Sequence, residues 1–303
     1  MTDYLAGSVL GPVGRGSLLN NPLKPAFKPV WASFRDVLPR RAHVVLDHLR
    51  YHGRLPNLQH PSTFSEKIAC RKLHDLDPRN PQPVDKIVAK QQMGARFGSE
   101  FILSLVATFL SKADVDFAAL PYPCLIKPNH LSGFNLFLQE RPADTNKIRR
   151  RLGRLLRARY DRASEQWAYS QIAPRLLVEP FIEGGPHGLI DYKFHMFAGR
   201  VFSIQVDVDR YTDHARCFFD RASMRMPFEL VDPAAAYEIS PPEALAEMIG
   251  YAEQICDGSS CLRVDLYEIA GKVKFGEATF YPGAGLEVFN PRNYDALFGE
   301  QWN

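Results

Sequence analysis

Residues 263 to 283 read Arg-Val-Asp-Leu-Tyr-Glu-Ile-Ala-Gly-Lys-Val-Lys-Phe-Gly-Glu-Ala-Thr-Phe-Tyr-Pro-Gly, two alternating runs on either side of Ala270-Gly271. Successive side chains of a strand point to opposite faces, so this period of two around a turn dipeptide constrains the stretch to a β-hairpin. Arg263, Asp265 and Tyr267 then share one face of the first strand, and Phe275, Glu277 and Thr279 share one face of the second. A loop with an odd number of residues centred on Gly271 sets Asp265 opposite Glu277, Arg263 opposite Thr279, and Glu268 opposite Lys274. Two carboxylates directly across a strand pair repel each other unless a cation sits between them, and an all-oxygen donor set suits Mg²⁺. A solvated acidic face is the plainer reading of the same residues.

A chain of 303 residues is long enough for two or three packed lobes. Its 46% hydrophobic and 23% charged residues are those of an ordinary globular protein, and a net charge of +3 gives no reason to expect nucleic acid as a partner. The five cysteines form an odd set without a CxxC pair, which argues against a disulfide framework or a zinc site and favours a reducing compartment. No apolar run is long enough to span a bilayer, and the N-terminus lacks the pattern of a signal peptide. The expectation is a cytoplasmic protein with at most peripheral membrane contact.

The first 30 residues are rich in Gly, Pro, Asn and Ser and predict an irregular lead-in. Helical patterns follow over about 31–50 and after Pro61, where Ser62 or Thr63 caps and Glu66 completes a capping box. Asp85-Lys86-Ile-Val-Ala-Lys90 opens another helix, and apolar runs at 101–109 and 123–127 read as strands. Over 144–160, Ile148, Leu152, Leu155, Leu156 and Tyr160 recur at helical spacing among Arg149, Arg150, Arg151, Arg154, Arg157 and Arg159. This basic helix reads as a solvated surface face, the alternative being contact with a polyanionic substrate or a membrane surface. Strands at 176–181, 191–197, 201–208, 262–268 and 273–279 outnumber the one clear later helix, 241–256, which predicts an α+β fold.

Four further segments carry chemistry. A strand ending at Lys127 runs into Pro-Asn129-His130-Leu-Ser132-Gly133-Phe-Asn135, where backbone amides and an ammonium can meet a polyphosphate, or which is simply a hairpin turn with an exposed lysine. Leu176-Leu-Val-Glu179-Pro-Phe181-Ile182 stops at a proline, leaving backbone groups for a purine edge or only a linker between lobes. Asp191-Tyr-Lys193 starts a strand with two charges on one face, suited to a salt bridge or to ribose and phosphate. Residues 207 to 216 crowd Asp207, Asp209, Arg210, Asp213, His214 and Arg216 where two strands would join, so arginine forks could hold a carboxylate and His214 could act as a base, unless the turn is merely solvated.

In order, these segments resemble the ATP-grasp fold. More narrowly, Thr63-Phe-Ser-Glu-Lys-Ile68, Lys127-x-Asn-His-x-Ser-Gly133, Asp191-Tyr-Lys-Phe194, Gln205-Val-Asp-x-Asp-Arg210 and Phe275-Gly-Glu-x-Thr-Phe-Tyr-Pro-Gly283 resemble the teichuronopeptide-biosynthesis (TupA-like) branch, from about residue 58 to about 295. The resemblance implies an N-terminal segment and helical subdomain over 1–84, a central lid subdomain over 85–182, and a C-terminal subdomain over 183–303, with ATP between the last two. Lys86 and Lys127 would touch its phosphates, and the loop of His130, Ser132, Gly133 and Asn135 would close over them. Glu179 with the Phe181 and Ile182 backbone would hold adenine, with Asp191 on the ribose and Lys193 beside it. Asp265 and Glu277 would coordinate Mg²⁺, Thr279 would stand where most ATP-grasp enzymes carry an asparagine ligand, and Arg263 would face developing negative charge near Arg210 and His214. Leu131 and Phe134 occupy loop positions where relatives have smaller residues.

The implied activity is an ADP-forming carboxylate-amine ligase working through an acyl phosphate. A uronic acid of a surface polysaccharide or its precursor is the implied acid, and an amino acid the implied amine. A sugar kinase on the same fold, or a non-catalytic nucleotide-binding member of a polysaccharide assembly complex, stand as alternatives.

Overall fold

The structure is a computed structural model that describes residues 38–159, 165–209, 213–256 and 258–302. Among the described residues four helices come first: α1 (Arg40–His52), α2 (Phe64–His74), the single turn α3 (Pro81–Val84) and α4 (Lys86–Phe97). The capping box at α2 forms as expected, with Thr63 accepting from Glu66 N and Glu66 reaching back to the Thr63 backbone. Helix α1 begins after Pro39, later than the pattern from residue 31 suggests, and residues before 38 lie outside the described region. Of the strand expected over 101–109, only β1 (Ala107–Phe109) forms; residues 99–101 make a 3₁₀ turn and Ile102 contributes one bridge to Phe275.

A small antiparallel sheet has the order β1-β4-β2-β3, adding β2 (Cys124–Pro128), β3 (Leu136–Leu138) and β4 (Leu176–Pro180). Helix α5 (Thr145–Arg157) covers one face, burying Leu152 and Leu155 against Cys124, Ile126, Leu136, Leu138 and Val178. Each leucine so buried contributes about 1.5–3 kcal/mol. Alternation along β2 then turns Leu125 and Lys127 to the uncovered face, opposite Glu179 and Leu177 of β4. A short turn, α6 (Trp167–Ser170), precedes β4.

The second sheet is larger and antiparallel, order β10-β9-β5-β6-β7, built from β5 (Asp191–Phe197), β6 (Arg200–Val208), β7 (Ala215–Asp220), β9 (Cys261–Ile269) and β10 (Lys272–Thr279). A minor pair, β8 (Glu229–Leu230) with β11 (Phe289–Asn290), flanks it, as do α7 (Leu245–Ile255) and α8 (Asn293–Glu300). Phe194, Met196, Ile204, Val206, Leu262, Val264 and Leu266 form one face, packed in a core with Met248, Ile249 and Ala252 of α7. The opposite face is polar yet also buried: Asp191, Lys193, His195, Gln205, Asp207 and Asp265 are all nearly inaccessible. Residues 215 and 216, the end of the expected charged turn, instead open strand β7, and Arg216 lies within it. Helix α7 starts at Leu245 rather than 241 because Pro241 and Pro242 precede it.

The expected boundary at residue 85 falls just before α4, whose Ala89, Met93 and Phe97 pack in the larger core, whereas the smaller core begins at Ala107. No helix among the described residues is long and apolar enough to cross a membrane.

The β9–β10 hairpin departs from the odd-loop expectation. Ile269 pairs with Lys272 across a two-residue turn in which Ala270 (φ 51°) and Gly271 (φ 72°) are both left-handed, the geometry that matches strand twist. The register then slips by one residue between Phe275 and Glu277, where Gly276 forms a bulge. Turn and bulge together restore the expected pairs Asp265–Glu277 and Arg263–Thr279, but Glu268 lies opposite Val273, not Lys274. Phe275 consequently faces the apolar core beside Phe101 and does not share a face with Glu277. A Cβ at position 276 would stand 2.7 Å from a Tyr267 ring carbon and 3.0 Å from the Asp265 carbonyl, which explains the glycine.

Candidate active site

The N-terminus of α4 is tied to the end of β2. Asp85 caps the helix by accepting from Ile87 and Val88 N–H (2.9 and 3.3 Å), and its other oxygen accepts from Asn129 Nδ2 at 3.1 Å. Lys86 and Lys90, one turn apart, therefore project from one side of the helix. Lys86 Nζ donates to the Leu131 carbonyl (2.7 Å) and lies 3.7 Å from Glu277 Oε2, so it touches both the loop after β2 and the metal-candidate hairpin. Lys90 reaches Glu179 Oε1 at 2.8 Å, and Lys127 reaches Glu179 Oε2 at 2.6 Å. Burial alone would raise the Glu179 carboxyl, but the two ammoniums hold it down to about 2. Burial lowers Lys90 despite its attraction to Glu179.

Lys90 has no place among the residues singled out from the sequence. Its position four residues after Lys86, behind a capping aspartate, was the available signal. Asn129, named from the sequence only as part of the loop motif, turns inward, where its side chain bonds Asp85, the Ala173 carbonyl and Arg175 N–H.

The loop after β2 is anchored by its bulkier residues. Leu131 is buried in the small core and Phe134 packs against that core, while Gly133 takes a left-handed φ of 77°. His130 is buried with Nε2 3.2 Å from the Ala158 carbonyl just after α5. Ser132 is half-buried, and Gly133 and Asn135 are exposed. Phe181 N–H donates to the Pro123 carbonyl (2.9 Å), so that amide is used in the sheet, and its ring packs on Phe137; Ile182 is half-buried next to it.

On the large sheet, register assembles the polar face in rungs. Glu277, Asp265, Lys193 and Gln205 lie side by side across β10, β9, β5 and β6; Thr279, Arg263, His195 and Ser203 form the next rung, and Asp191, Asp207 and Arg216 line another. Arg263 grips Asp265 with two bonds (2.7 and 2.8 Å) and contacts Glu277 at 3.3 Å, so its guanidinium supplies the cation between the opposed carboxylates. Lys193 pairs with Asp191 and lies 3.4 Å from Asp207 and 3.6 Å from Asp265. Arg216, one of the arginine forks the sequence offers for a substrate carboxylate, is instead saturated by Asp207 (2.9 Å), Asp232 (3.3 Å), Glu287 (3.2 Å) and the Leu230 carbonyl (2.9 Å). His214 is partly exposed beyond this network, 3.4 Å from Asp232 and 3.9 Å from Asp207. Arg210 lies outside the described residues.

These neighbours set the charge states. Burial, helped by Asp191 and Glu277, pushes Asp265 up to about 6 against the pull of Arg263 and Lys193. Burial would weaken the Arg263 guanidinium, but Asp265 and Glu277 outweigh it and raise its pKa. His195, buried and beside Arg263, is pushed down to about 3 and is therefore neutral.

Among the described residues, no three His, Cys, Asp or Glu side chains converge as a finished metal site. Asp265 and Glu277 supply two hard oxygen donors, and Thr279 Oγ1 accepts from Tyr281 N–H (3.1 Å). Mg²⁺ is commonly held by one or two carboxylates together with substrate phosphates. The partly exposed Glu277 beside the raised Asp265 fits that donor set.

A family model described as TupA-like ATPgrasp matches residues 66–303, most of the chain. The protein thus has the ATP-grasp fold, and the chain belongs to the TupA-like ATP-grasp family. No curated protein is significantly similar to it. Among solved structures, the D-alanine–D-alanine ligase of Bacillus anthracis complexed with ATP is 14% identical over 65% of this chain and 53% of that one, with a TM-score of 0.37. The L-amino acid ligase of Bacillus licheniformis is 12% identical over 82% and 57%, at 0.46. A RimK domain ATP-grasp protein of Sphaerobacter thermophilus is 12% identical over 88% and 96%, at 0.40. The chain spans less than two thirds of the length of the first two.

Proposed function

We propose that the protein is an ATP-dependent carboxylate-amine ligase that releases ADP and phosphate. One observation carries this reading: Lys86, placed beside Lys90 and Lys127, stands 3.7 Å from Glu277, which lies opposite Asp265 and against Arg263. A cation-rich surface so close to a carboxylate-rich one suits a metal-bound polyphosphate, which needs both. In this reading Lys86 and Lys127 hold phosphates, with Lys90 as a third ammonium behind Glu179. The loop carrying His130, Ser132, Gly133 and Asn135 closes over them. Glu179, Phe181 and Ile182 border the base, and Asp191 and Lys193 lie toward the ribose. In this reading the lid would comprise the small sheet with α5, within the expected central subdomain of 85–182.

Asp265 and Glu277 would hold Mg²⁺, with Thr279 at the rim, and the ion would offset charge on the transferring phosphoryl group. A carboxylate oxygen of the acid bonds to the γ-phosphorus as the bond to the ADP oxygen breaks, giving an acyl phosphate. The amine nitrogen then bonds to the acyl carbon, phosphate leaves, and a proton departs from nitrogen. Arg263, held rigid by Asp265, offers N–H donors to the tetrahedral oxyanion, an effect worth about 3–4 kcal/mol per donor in known cases. Arg210 and His214 are proposed to meet the acid and take the proton. The family resemblance favours a uronic acid unit of a surface polysaccharide as acid and an amino acid as amine, in a cytoplasmic setting.

The test is a phosphate-release screen of uronic acids against amino acids, with Asp265→Asn as control. Release that requires both acid and amine is expected, with hydroxylamine trapping a hydroxamate. AMP and pyrophosphate as products would overturn the proposal, and transfer to a sugar hydroxyl without hydroxamate would make the protein a kinase.

A further inference from the structure

Helix α5 carries six cations and no acid in thirteen residues, on a chain whose whole net charge is only +3. One of them is structural. Arg149 folds inward, donating to the carbonyls of Lys112 (2.6 Å), Ala113 (2.8 Å) and Val115 (2.9 Å) over the Phe117 ring. Lys147, Arg150, Arg154 and Arg157 differ: they follow one another at three- and four-residue steps and so form one ridge along the outer side of the helix, with the half-buried Arg151 at its flank. Lys147, Arg150, Arg154 and Arg157 are exposed, and among the described residues only Arg150 has an acidic neighbour, Asp144 at 4.0 Å. Neighbouring cations at this spacing repel each other, and Lys147 and Arg150 sit toward the positive end of the helix dipole, so stability of the helix does not account for them.

The form of the ridge selects its partner. It is about 15 Å long and one side chain wide, with a guanidinium or ammonium at roughly each 5 Å turn. Its own apolar stripe is spent on the small core through Leu152 and Leu155, which leaves nothing to insert into lipid. It has no aromatic residue on which a nucleic-acid base could stack. Arginine forks bind carboxylates in pairs of hydrogen bonds. The far end of the ridge meets the candidate active site, since the Ala158 carbonyl bonds His130, and Leu131 next to it bonds Lys86.

We infer that the outer ridge of α5 is a docking surface for a linear, carboxylate-bearing glycan chain. This rests on the proposed ligase reading for the sugar nature of the chain, and places the polymer on the lid while its end is modified in the cleft.

The experiment measures binding of fluorescent oligogalacturonates of graded length to the full chain with Mg²⁺ and ADP, for the wild type and for Arg150→Gln/Arg154→Gln/Arg157→Gln. Affinity is expected to rise with length, to fall at least tenfold in the triple variant, and to depend less steeply on salt there, since fewer counterions are released. Phosphate release with a monomeric uronic acid and amine is expected to stay unchanged in that variant. Equal binding by both proteins overturns the inference. So does a wild type that prefers phosphatidylserine vesicles, single-stranded DNA, polyglutamate or inorganic polyphosphate over the oligogalacturonate. The two readings fail separately: ligase activity without polymer binding removes only the ridge, and polymer binding lost in the variant without any phosphate release removes only the ligase.

Discussion

Glu179 on the small sheet and Asp265 on the large one are both buried carboxylates, yet one is held down to about 2 and the other pushed up to about 6. Burial opposes ionisation in both. The difference lies in the company each keeps: Glu179 has Lys90 and Lys127, whereas Asp265 must share Arg263 and Lys193 with Asp191 and Glu277. One side of the site therefore has surplus positive charge and the other surplus negative charge. An anion belongs at the first and a cation at the second, which is the arrangement a metal-bound nucleotide would complete.

Neutralising each carboxylate gives the sharpest contrast. Glu179→Gln strips the buried Lys90 of its carboxylate and is expected to cost about 3–5 kcal/mol in denaturant unfolding. Asp265→Asn removes a charge that is already unfavourable and leaves Arg263 on Glu277, so its stability should change by no more than about 1–2 kcal/mol. Its phosphate release should nevertheless fall by about 10²–10³-fold. If the two variants unfold alike, the electrostatic opposition is not real.

The pairing of Asp265 with Glu277 depends on the bulge, and this is where a smaller effect is expected. Gly276→Ala drives a methyl into Tyr267 and the Asp265 carbonyl, at 2.7 and 3.0 Å. Relief requires the hairpin to slip or splay, at a cost of about 1–3 kcal/mol. Mg²⁺-dependent stabilisation by ADP should weaken more than unfolding free energy does, since Glu277 moves relative to Asp265. A variant with wild-type nucleotide response would show that the bulge has no part in the site.

Much of this could be read from the chain because its signals are local. Alternation over 191–197, 201–208 and 262–268 fixes which side chains share a face, and Thr63 with Glu66 marks the start of α2. The pair Asp265–Glu277 was found by a route that was only half right: an odd loop and a two-residue turn plus a bulge sum to the same register. Nothing in an alternating pattern distinguishes them except Gly276, and a lone glycine in a strand has several meanings. The partners of Lys90 and Arg216 are illegible for a different reason. They lie 89 residues away at Glu179 and 71 away at Glu287, and a helix or strand pattern carries no information about such distant neighbours.

Acidity offers the finest test of the contrast, because the two carboxylates should respond over different ranges. Without ligand, Asp265 takes up a proton at about 6 in the folded chain, against an ordinary 3.8. The proton favours the folded state: that contribution is complete below the ordinary value and is lost as pH rises through about 6. A cation bound by the ionised group must expel this proton, so below pH 6 the apparent affinity for Mg²⁺-ADP should weaken by about tenfold, or ~1.4 kcal/mol, per pH unit. Glu179, held to about 2, stays ionised throughout and adds no slope. Thermal shift induced by Mg²⁺-ADP at pH 5, 6, 7 and 8 reads the effect, and whatever slope Asp265→Asn retains belongs to the nucleotide. A wild-type slope no steeper than the variant's between pH 5 and 6 would mean that Asp265 does not face the bound cation, and the carboxylate side of the comparison would have to rest on Glu277 alone.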